Sequence, residues 1–157
     1  MVDGASDELD GDLTVFETID NEATGDVRKR VRALLGSFLF SGEDVDKRVK
    51  VLSGGEKARL ALAMVVWQKP NLLVLDEPTA VLTPQEVEDM FHIFRQMAAD
   101  GHALIFISHK LDEIFALTDR VTVLRDGKAV GSTLTSEINK QGLAALMVGR
   151  EVSLSRV

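Results

Sequence analysis

Two continuous apolar runs of strand length constrain the fold of this chain more than any other feature. The first is "NLLVL", which ends at Leu75, and the second is "ALIFI", which ends at Ile107. A half-buried strand alternates apolar and polar residues, whereas an uninterrupted run is typical of a strand buried on both faces, as in parallel sheets. The sequence therefore predicts two strands of a parallel sheet.

Helix starts are marked before and between these strands. Thr14 with Glu17, and Ser53 with Glu56, have the spacing of a capping box, in which side chains and backbone N–H groups satisfy each other. The segment "TPQE" after the first strand supplies a cap, a proline at the first helical position and Glu86 at the third. Three helices are therefore predicted to begin at these points.

The remaining segments complete an α/β pattern. "DVRKRVRALLGSFLF" predicts a helix from its apolar spacing, and its basic cluster at residues 28–32 favours a solvated helix face over contact with RNA phosphates. Asp126-Gly127 predicts the tight primed turn of a hairpin, and a last helix is predicted over residues 136–148. The fold class is therefore α/β, with a sheet of parallel character and one antiparallel hairpin at its C-terminal end.

Composition is that of one globular domain. The chain has 157 residues, a formal net charge of -7 and no cysteine. The acidity argues against a broad nucleic-acid surface, so no DNA partner is expected, and disulfides and thiolate metal sites are excluded. No apolar run reaches the ~18 residues of a membrane span, and the acidic start is unlike a signal peptide. We predict a cytoplasmic protein with a disordered lead-in over residues 1–12.

Two adjacent carboxylates, Asp76 and Glu77, follow the first strand directly. Ligands of open α/β sheets collect at the carboxyl ends of the strands, where these acids are expected. One carboxylate can hold Mg²⁺ through water, and its neighbour can orient or deprotonate an attacking water. The alternative is that the pair merely caps the next helix.

A second candidate site is the signature turn, which we define as Ser53, Gly54 and Gly55. Free N–H groups, a hydroxyl and the positive end of a helix dipole converge there, and glycine lets a phosphate approach the backbone closely. A plain capped helix start is the alternative.

One histidine, His109, follows the second strand at the same sheet edge as the acids and can donate a hydrogen bond to a phosphate oxygen. Most histidines have no catalytic role. His92 is assigned to a helix surface and His102 to a turn.

These motifs, in this order, resemble those of the ABC-type ATPases. The combination of "LSGGEKARLALA", "NLLVLDEPT" and "IFISHKLDE" is highly specific, and the resemblance covers residues 13–152. It implies ATP and Mg²⁺ as cofactors and a partial RecA-like P-loop NTPase sheet with part of the helical signature subdomain. Residues 13–68 would form the helical and signature portion. Residues 69–157 would form the catalytic-core portion, with Walker B, the D-loop, the switch histidine and the C-terminal hairpin and helix.

The resemblance also implies roles for the candidate residues. Asp76 matches the Walker B aspartate that helps to hold Mg²⁺, and Glu77 matches the catalytic base towards the hydrolytic water. His109 matches the switch histidine that contacts the γ-phosphate. In this family the signature turn contacts the γ-phosphate of ATP bound to the other subunit of a head-to-tail dimer. Another ABC ATPase domain is therefore expected as a partner.

The sequence departs from the family pattern at several points. It contains no GxxxxGK[ST] loop, so the Walker A nest and lysine that grip the β and γ phosphates are absent, as is the strand that carries them. No glutamine precedes Gln68, which leaves the glutamine loop unmatched, and the D-loop reads "AVLT". Hydrolysis by the chain alone is therefore not expected. The strand "ALIFI" should keep an unpaired edge and an uncovered apolar face.

The two parts of the sequence resemble different classes of ABC ATPase. Residues 13–79 resemble the ABC-F class, tandem ATPases that act on the ribosome, whereas residues 80–152 resemble the first ATPase domain of sugar and nucleoside importers. A hybrid joined near "LDEPT", or a natural recombinant or truncated product, would account for both resemblances.

Three functions are therefore considered. The first, which the motifs favour, is an ATP-binding and ATP-hydrolysing component of a transporter that needs a partner to complete its ATP sites. Such a component would attach to the inner membrane through a permease. The second is an ABC-F-like ATPase fragment associated with the ribosome. The third is a non-catalytic remnant that binds other proteins.

Overall fold

The structure is a computed structural model that describes residues 9–149. The chain divides into two compact units, Met1–Ile107 and Ser108–Val157. No helix among the described residues is long and apolar enough to cross a membrane.

Two predictions concern residues that the structure describes only in part. They are the lead-in over residues 1–12 and the end of the family resemblance at residue 152. Residues 1–8 and 150–157 are not described, so the disorder predicted for the first of these stretches stays a prediction. Residues 10–12 form a hydrogen-bonded turn, in which the Asp12 N–H donates to the Asp10 carboxylate over 3.0 Å. The predicted disorder therefore does not extend to this turn.

Four helices and two strands form the described part of the first unit. In chain order they are α1 (Val15–Asp20), α2 (Gly25–Ser37), α3 (Gly54–Trp67), β1 (Leu72–Asp76), α4 (Pro84–Ala99) and β2 (Ala103–Ile107), with short 3-10 turns at Gly42–Asp46 and Val49–Val51. Capping boxes at Thr14, Ser53 and Thr83 begin α1, α3 and α4. All three predicted helix starts are confirmed.

The first three helices pack on one another around an apolar core. Val15, Val31, Leu35 and Leu60 are fully buried there, because apolar residues spaced three or four apart share one face of a helix. α3 also packs against α4. The predicted boundary between the helical portion and the catalytic-core portion, at residues 68 and 69, therefore lies within one compact unit. It stays a prediction about the roles of the two portions.

One face of the sheet is well covered. β1 and β2 pair in parallel, with Leu73 opposite Leu104 and Leu75 opposite Phe106. α4 connects the two strands and packs against β2, where the rings of Phe94 and Phe106 meet edge to face at 6.1 Å between centroids. This face therefore belongs to the core of the unit.

The opposite face of the sheet is exposed. Leu72 is 52% exposed, Ile105 48% and Ile107 47%. The predicted burial of both strands on both faces is therefore wrong for this face. Among the described residues β2 has a single strand neighbour, β1, which confirms the predicted unpaired edge and uncovered apolar face.

A hairpin between two helices forms the second unit. Its elements are α5 (Leu111–Leu117), β3 (Arg120–Arg125), β4 (Lys128–Leu134) and α6 (Lys140–Val148), with a 3-10 turn at Thr135–Glu137. Ile114, Val123 and Leu143 are the buried centre of its core. Asp126 and Gly127 have φ angles of 51° and 72°, which confirms the predicted primed turn.

The antiparallel hairpin is present as predicted, and it forms a two-stranded sheet of its own among the described residues. One prediction for this unit, the start of the last helix, needs correction. The last helix begins at Lys140 rather than Ser136, because the Asn139 side chain accepts from the Gly142 N–H over 2.8 Å and caps the helix there.

Candidate functional site

Asp76 and Glu77 lie where both parallel strands end. Asp76 is the last residue of β1 and stands opposite Ile107, the last residue of β2. The Glu77 N–H donates to the Ile107 carbonyl oxygen over 2.9 Å. The acids thus occupy the predicted carboxyl edge of the sheet, and both are half-buried.

The backbone of Glu77 is strained. Its φ of 44° lies in the left-handed region, which costs a residue with a Cβ about 1–2 kcal/mol. Hydrogen bonds hold this conformation: besides the bond to Ile107, the Glu77 carbonyl accepts from the Ala80 N–H over 3.0 Å. Strain held in this way is typical of functional positions.

The alternative role for the acid pair, capping of the next helix, is wrong. α4 begins at Pro84, and its capping box is formed by Thr83 and Glu86. Asp76 and Glu77 are therefore available for a role other than capping.

The signature turn begins α3 with a complete capping box. The Ser53 hydroxyl accepts from the Glu56 N–H over 3.2 Å, and the Glu56 carboxylate accepts from the Ser53 N–H over 2.7 Å. Ser53 and Gly54 are exposed, whereas Gly55 is buried. The capped helix start and the predicted anion site are thus features of one turn.

The carboxylate of Glu86 accepts from two further donors of the signature turn. Its Oε1 accepts from the Ser53 hydroxyl over 3.0 Å and from the Gly55 N–H over 3.1 Å. Its Oε2 accepts from the N–H and the hydroxyl of Thr83, each over 3.0 Å. A Cβ at Gly55 would lie 2.4 Å from the Glu86 Cδ, so this approach needs glycine. The predicted anion site therefore holds an anion of the chain itself.

Two helix N-termini meet at this carboxylate. Glu86 lies in the first turn of α4 and contacts the first turn of α3, where backbone N–H groups carry partial positive charge. The hydrogen bond from the Thr83 backbone, followed by those from the Ser53 and Thr83 side chains, lowers the pKa of Glu86 from 4.5 to about 2. The carboxylate is therefore ionised at neutral pH.

A second polar contact joins α3 to α4. The Arg59 guanidinium donates to Asp89 Oδ2 over 3.4 Å and lies 5.7 Å from the centroid of the Phe40 ring. Arg59 is only 8% exposed. The sequence motifs do not single out this pair. The spacing of Arg59 does indicate burial. Arg59 lies four residues after Gly55 and four before Ala63, which places it on the buried face of α3.

The third candidate, His109, belongs to the second unit and is exposed in the loop before α5. Hydrogen bonds fix the loop on both sides of it. The Ser108 hydroxyl donates to Glu113 over 3.1 Å and accepts from the Lys110 N–H over 3.0 Å. Lys110 also forms an ion pair with Glu113 over 3.1 Å. These bonds therefore fix the backbone of the loop on both sides of His109.

The other two histidines lie where they were predicted. His92 is exposed on α4, and His102 lies in the turn before β2 with its Nδ1 3.3 Å from the Pro70 carbonyl oxygen.

Carboxylates of the described residues do not form a metal cage. No group of three or more histidine, cysteine, aspartate or glutamate side chains is arranged there to hold a metal ion. Mg²⁺ is commonly bound through one or two carboxylates plus water and substrate phosphates, so a single carboxylate at a phosphate site suffices. The predicted role of Asp76 in holding Mg²⁺ stays a prediction.

The basic cluster of α2 stacks on aromatic rings. The guanidinium groups of Arg28 and Arg32 lie 4.8 Å and 5.6 Å from the centroid of the Phe16 ring, and that of Arg30 lies 5.6 Å from Trp67. All three arginines remain exposed. They cover apolar rings while keeping their charge in water, which gives the exposed basic face a structural role.

Sequence comparisons connect the chain to importer ATPases. The family model described as "ABC transporter" matches residues 2–80. A glucose import ATP-binding protein of Haloferax volcanii is 46% identical over 124 residues, which are 79% of this chain and 22% of that protein. A ribose import ATP-binding protein of Rubrobacter xylanophilus is 41% identical over 109 residues, 69% of this chain and 22% of that protein. The chain thus spans about a fifth of the length of these relatives.

Solved structures share the fold. An ATP-binding cassette solved as a dimer in a post-hydrolysis state with ADP and Pi aligns with a TM-score of 0.65 at 21% identity, over 82% of this chain and 59% of that one. An ATP-binding cassette of an ABC transporter in its ADP conformation aligns with a TM-score of 0.69 at 18% identity, over 88% of this chain and 60% of that one. At these identities the similarity establishes the ABC ATPase fold alone.

Proposed function

This chain belongs to the ABC transporter family, and on that premise we propose that it is part of the ATP-binding component of an importer, working with a second ATPase domain. Proteins of the family use ATP with Mg²⁺. The observation that carries the proposal is the position of Asp76 and Glu77 at the shared carboxyl end of two parallel strands, with Glu77 held in a strained conformation. Acids placed there can act on a phosphate and on water.

The two acids have separate tasks in this proposal. Asp76 would help to hold the metal, and Glu77 would accept a proton from the water that attacks the γ-phosphate. Mg²⁺, when bound, neutralises charge on the phosphate oxygens. For His109, on the loop before α5, the role implied by the family resemblance is a hydrogen bond to a phosphate oxygen.

A grip on the β and γ phosphates must come from elsewhere. The sequence contains no GxxxxGK[ST] loop, and the positioning of the phosphates is the largest part of catalysis in phosphoryl transfer. Hydrolysis at Asp76 and Glu77 therefore requires a domain that supplies such a loop. The signature turn would in exchange contact the γ-phosphate held by that domain.

A sugar is the proposed cargo class of the importer. The relatives described above are glucose and ribose import proteins. The 124-residue alignment is too long to fit on either side of Ala80 alone, so importer similarity extends into the part that resembles the ABC-F class. This supports an importer origin for both parts and association with a membrane permease. The stacked arginines of α2 give the basic cluster a structural role, which weakens the argument from that cluster for contact with rRNA phosphates.

The proposal is tested by complementation. The purified chain is mixed with an intact importer ATPase domain whose own signature serine has been replaced by arginine, and Mg-ATP hydrolysis is measured. That domain keeps its phosphate-gripping loop but needs a signature turn from its partner. We expect hydrolysis to rise at least about tenfold when the chain is added, because the donors of the turn stabilise charge on the γ-phosphate.

Variants of the chain identify the part that acts. Ser53→Arg should remove the stimulation, whereas Ser136→Arg, at an exposed serine of the second unit, should leave it unchanged. Glu77→Gln should also leave it unchanged, because the partner uses its own catalytic base. No stimulation by the unmodified chain, or stimulation that survives Ser53→Arg, would reject the proposal and favour a remnant without this activity.

A further inference from the structure

The Glu86 carboxylate sits at the signature turn as a bound anion would. We propose that Glu86 is a built-in competitor for the phosphate at this turn, and that its release from Ser53 and Gly55 makes the turn available. The inference rests on the proposed function, because it concerns the same turn and explains how its access is controlled.

Donor capacity supports the competition. A serine hydroxyl carries one hydrogen and a backbone amide carries one, so each can satisfy one strong acceptor. The hydrogen of the Ser53 hydroxyl and that of the Gly55 amide both point to Glu86 Oε1, at 3.0 Å and 3.1 Å. An arriving phosphate oxygen can gain these two hydrogen bonds only if Glu86 gives them up.

The negative charge of Glu86 also opposes phosphate binding at the signature turn. Glu86 is ionised at neutral pH, and a phosphate brought to the signature turn would meet a carboxylate at hydrogen-bonding distance from the same donors. Like charges this close repel strongly where water is partly excluded. The carboxylate also neutralises the positive ends of α3 and α4, which would otherwise attract the phosphate. Both effects weaken phosphate binding while Glu86 stays in place.

The division of the two oxygens makes release feasible. Oε2 is held by the Thr83 N–H and hydroxyl, which belong to the same helix start as Glu86. Oε1 alone reaches across to α3. Glu86 can therefore leave the signature turn and still cap α4, so that only the bonds of one oxygen are lost. Because Thr83 ends the segment that follows Glu77, the same carboxylate connects the signature turn to the end of that segment.

Titration with inorganic phosphate tests the competition directly. Amide signals of the signature turn are followed by NMR in the full chain and in Glu86→Gln. Glutamine keeps one acceptor oxygen for the helix cap but removes the charge. Glu88→Gln is the matched control, since Glu88 is exposed on the same helix and its replacement changes the net charge equally. We expect Glu86→Gln to bind phosphate at least about tenfold more tightly than the unmodified chain and Glu88→Gln.

Equal phosphate affinity in the three proteins, or no binding by any of them, would overturn the inference. If Glu86→Gln fails to fold, the carboxyl carbon signal of Glu86 is followed in the unmodified chain during the same titration. It should shift with the same midpoint as the Gly55 amide, and an unmoved signal would overturn the inference.

The complementation assay separates the two proposals. Absence of stimulation by the unmodified chain, or stimulation that survives Ser53→Arg, rejects the proposed function, whereas the phosphate affinity of Glu86→Gln is measured without any partner. A stimulating chain whose phosphate affinity is unchanged by Glu86→Gln would keep the proposed function and reject the competition.

Discussion

The signature turn and the end of β1 belong to the same compact unit but differ in how complete they are. At the turn, the Ser53 hydroxyl, the Gly55 amide and the Glu86 carboxylate satisfy one another. At the strand end, Glu77 is held in a strained conformation beside a sheet whose second face is exposed. Two donors of the turn are satisfied by the chain itself, whereas the sheet beside the strand end has one exposed face among the described residues.

This difference has a physical reason. A helix start is stabilised by contacts within a few residues, and one carboxylate from a neighbouring helix is enough to complete it. The end of a parallel strand depends on neighbouring strands and on helices that cover both faces. The first region is therefore completed by local contacts, whereas the second depends on contacts with other strands and helices.

The largest expected effect compares the two faces of the sheet. Leu75→Ala should lower the free energy of unfolding by about 2–4 kcal/mol, because Leu75 is 2% exposed and its removal leaves a cavity. Ile105→Thr should cost less than about 1 kcal/mol, because Ile105 is 48% exposed and threonine keeps the β-branched shape. Urea denaturation of both variants measures the difference. Equal losses would mean that the second face is covered in solution.

A second prediction concerns Glu86 and pH. Its pKa is about 2 in the folded chain against 4.5 ordinarily, so the stability it contributes is present above pH 4.5 and is lost as the pH falls towards 2. Glu86→Gln should cost about 1–2 kcal/mol at pH 7, where charged hydrogen bonds are lost, and should flatten the pH dependence between 4.5 and 2. Denaturation across this range measures it. Glu88→Gln, the control, should retain the slope of the unmodified chain.

A smaller effect is expected at the other contact between α3 and α4. Asp89→Asn should lower the free energy of unfolding by about 1 kcal/mol, because the buried guanidinium of Arg59 loses its carboxylate partner. The 3.4 Å separation and the partial exposure of Asp89 keep the effect modest. Urea denaturation of Asp89→Asn, with Glu88→Gln as the control, measures this loss of stability. If Asp89→Asn loses no more stability than the control, the contact between Arg59 and Asp89 does not stabilise the packing of α3 on α4. Glu86 would then be the polar contact that does.

The smallest effect tests the strain at Glu77. Glu77→Gly should be more stable than Glu77→Ala by about 0.5–1 kcal/mol, because glycine adopts a φ of 44° without a Cβ clash. The alanine variant is the matched control, since both changes remove the carboxylate. Thermal or urea denaturation of the pair gives the difference. Equal stability would show that the backbone relaxes in solution, which would weaken the argument for a site held under strain.

Local features of the structure could be predicted from the sequence. Capping boxes at Thr14 and Ser53, and the turn at Asp126-Gly127, depend on residues within a few positions of one another. The two strands were predicted from uninterrupted apolar runs. Such signals are sufficient because the physics that creates these elements acts over the same short distance.

Contacts that depend on tertiary packing could not be predicted in this way. Glu86 was identified as a helix cap alone, because its contact with Ser53 joins residues 33 positions apart. The left-handed conformation of Glu77 follows from the hydrogen bond to Ile107 and carries no sequence signal in a residue other than glycine or asparagine. The start of the last helix was misplaced because Ser136 and Asn139 are both acceptable caps, and the structure uses the second.

The central proposal is that Asp76 and Glu77 act only on a phosphate held by a GxxxxGK[ST] loop, which this sequence does not contain. The most direct test is Mg-ATP binding and hydrolysis by the purified chain alone, with Glu77→Gln as control. The account predicts neither ATP binding nor hydrolysis above the level of Glu77→Gln. Hydrolysis by the chain alone that disappears in Glu77→Gln would contradict it, because the acids would then act on a phosphate held by this chain itself.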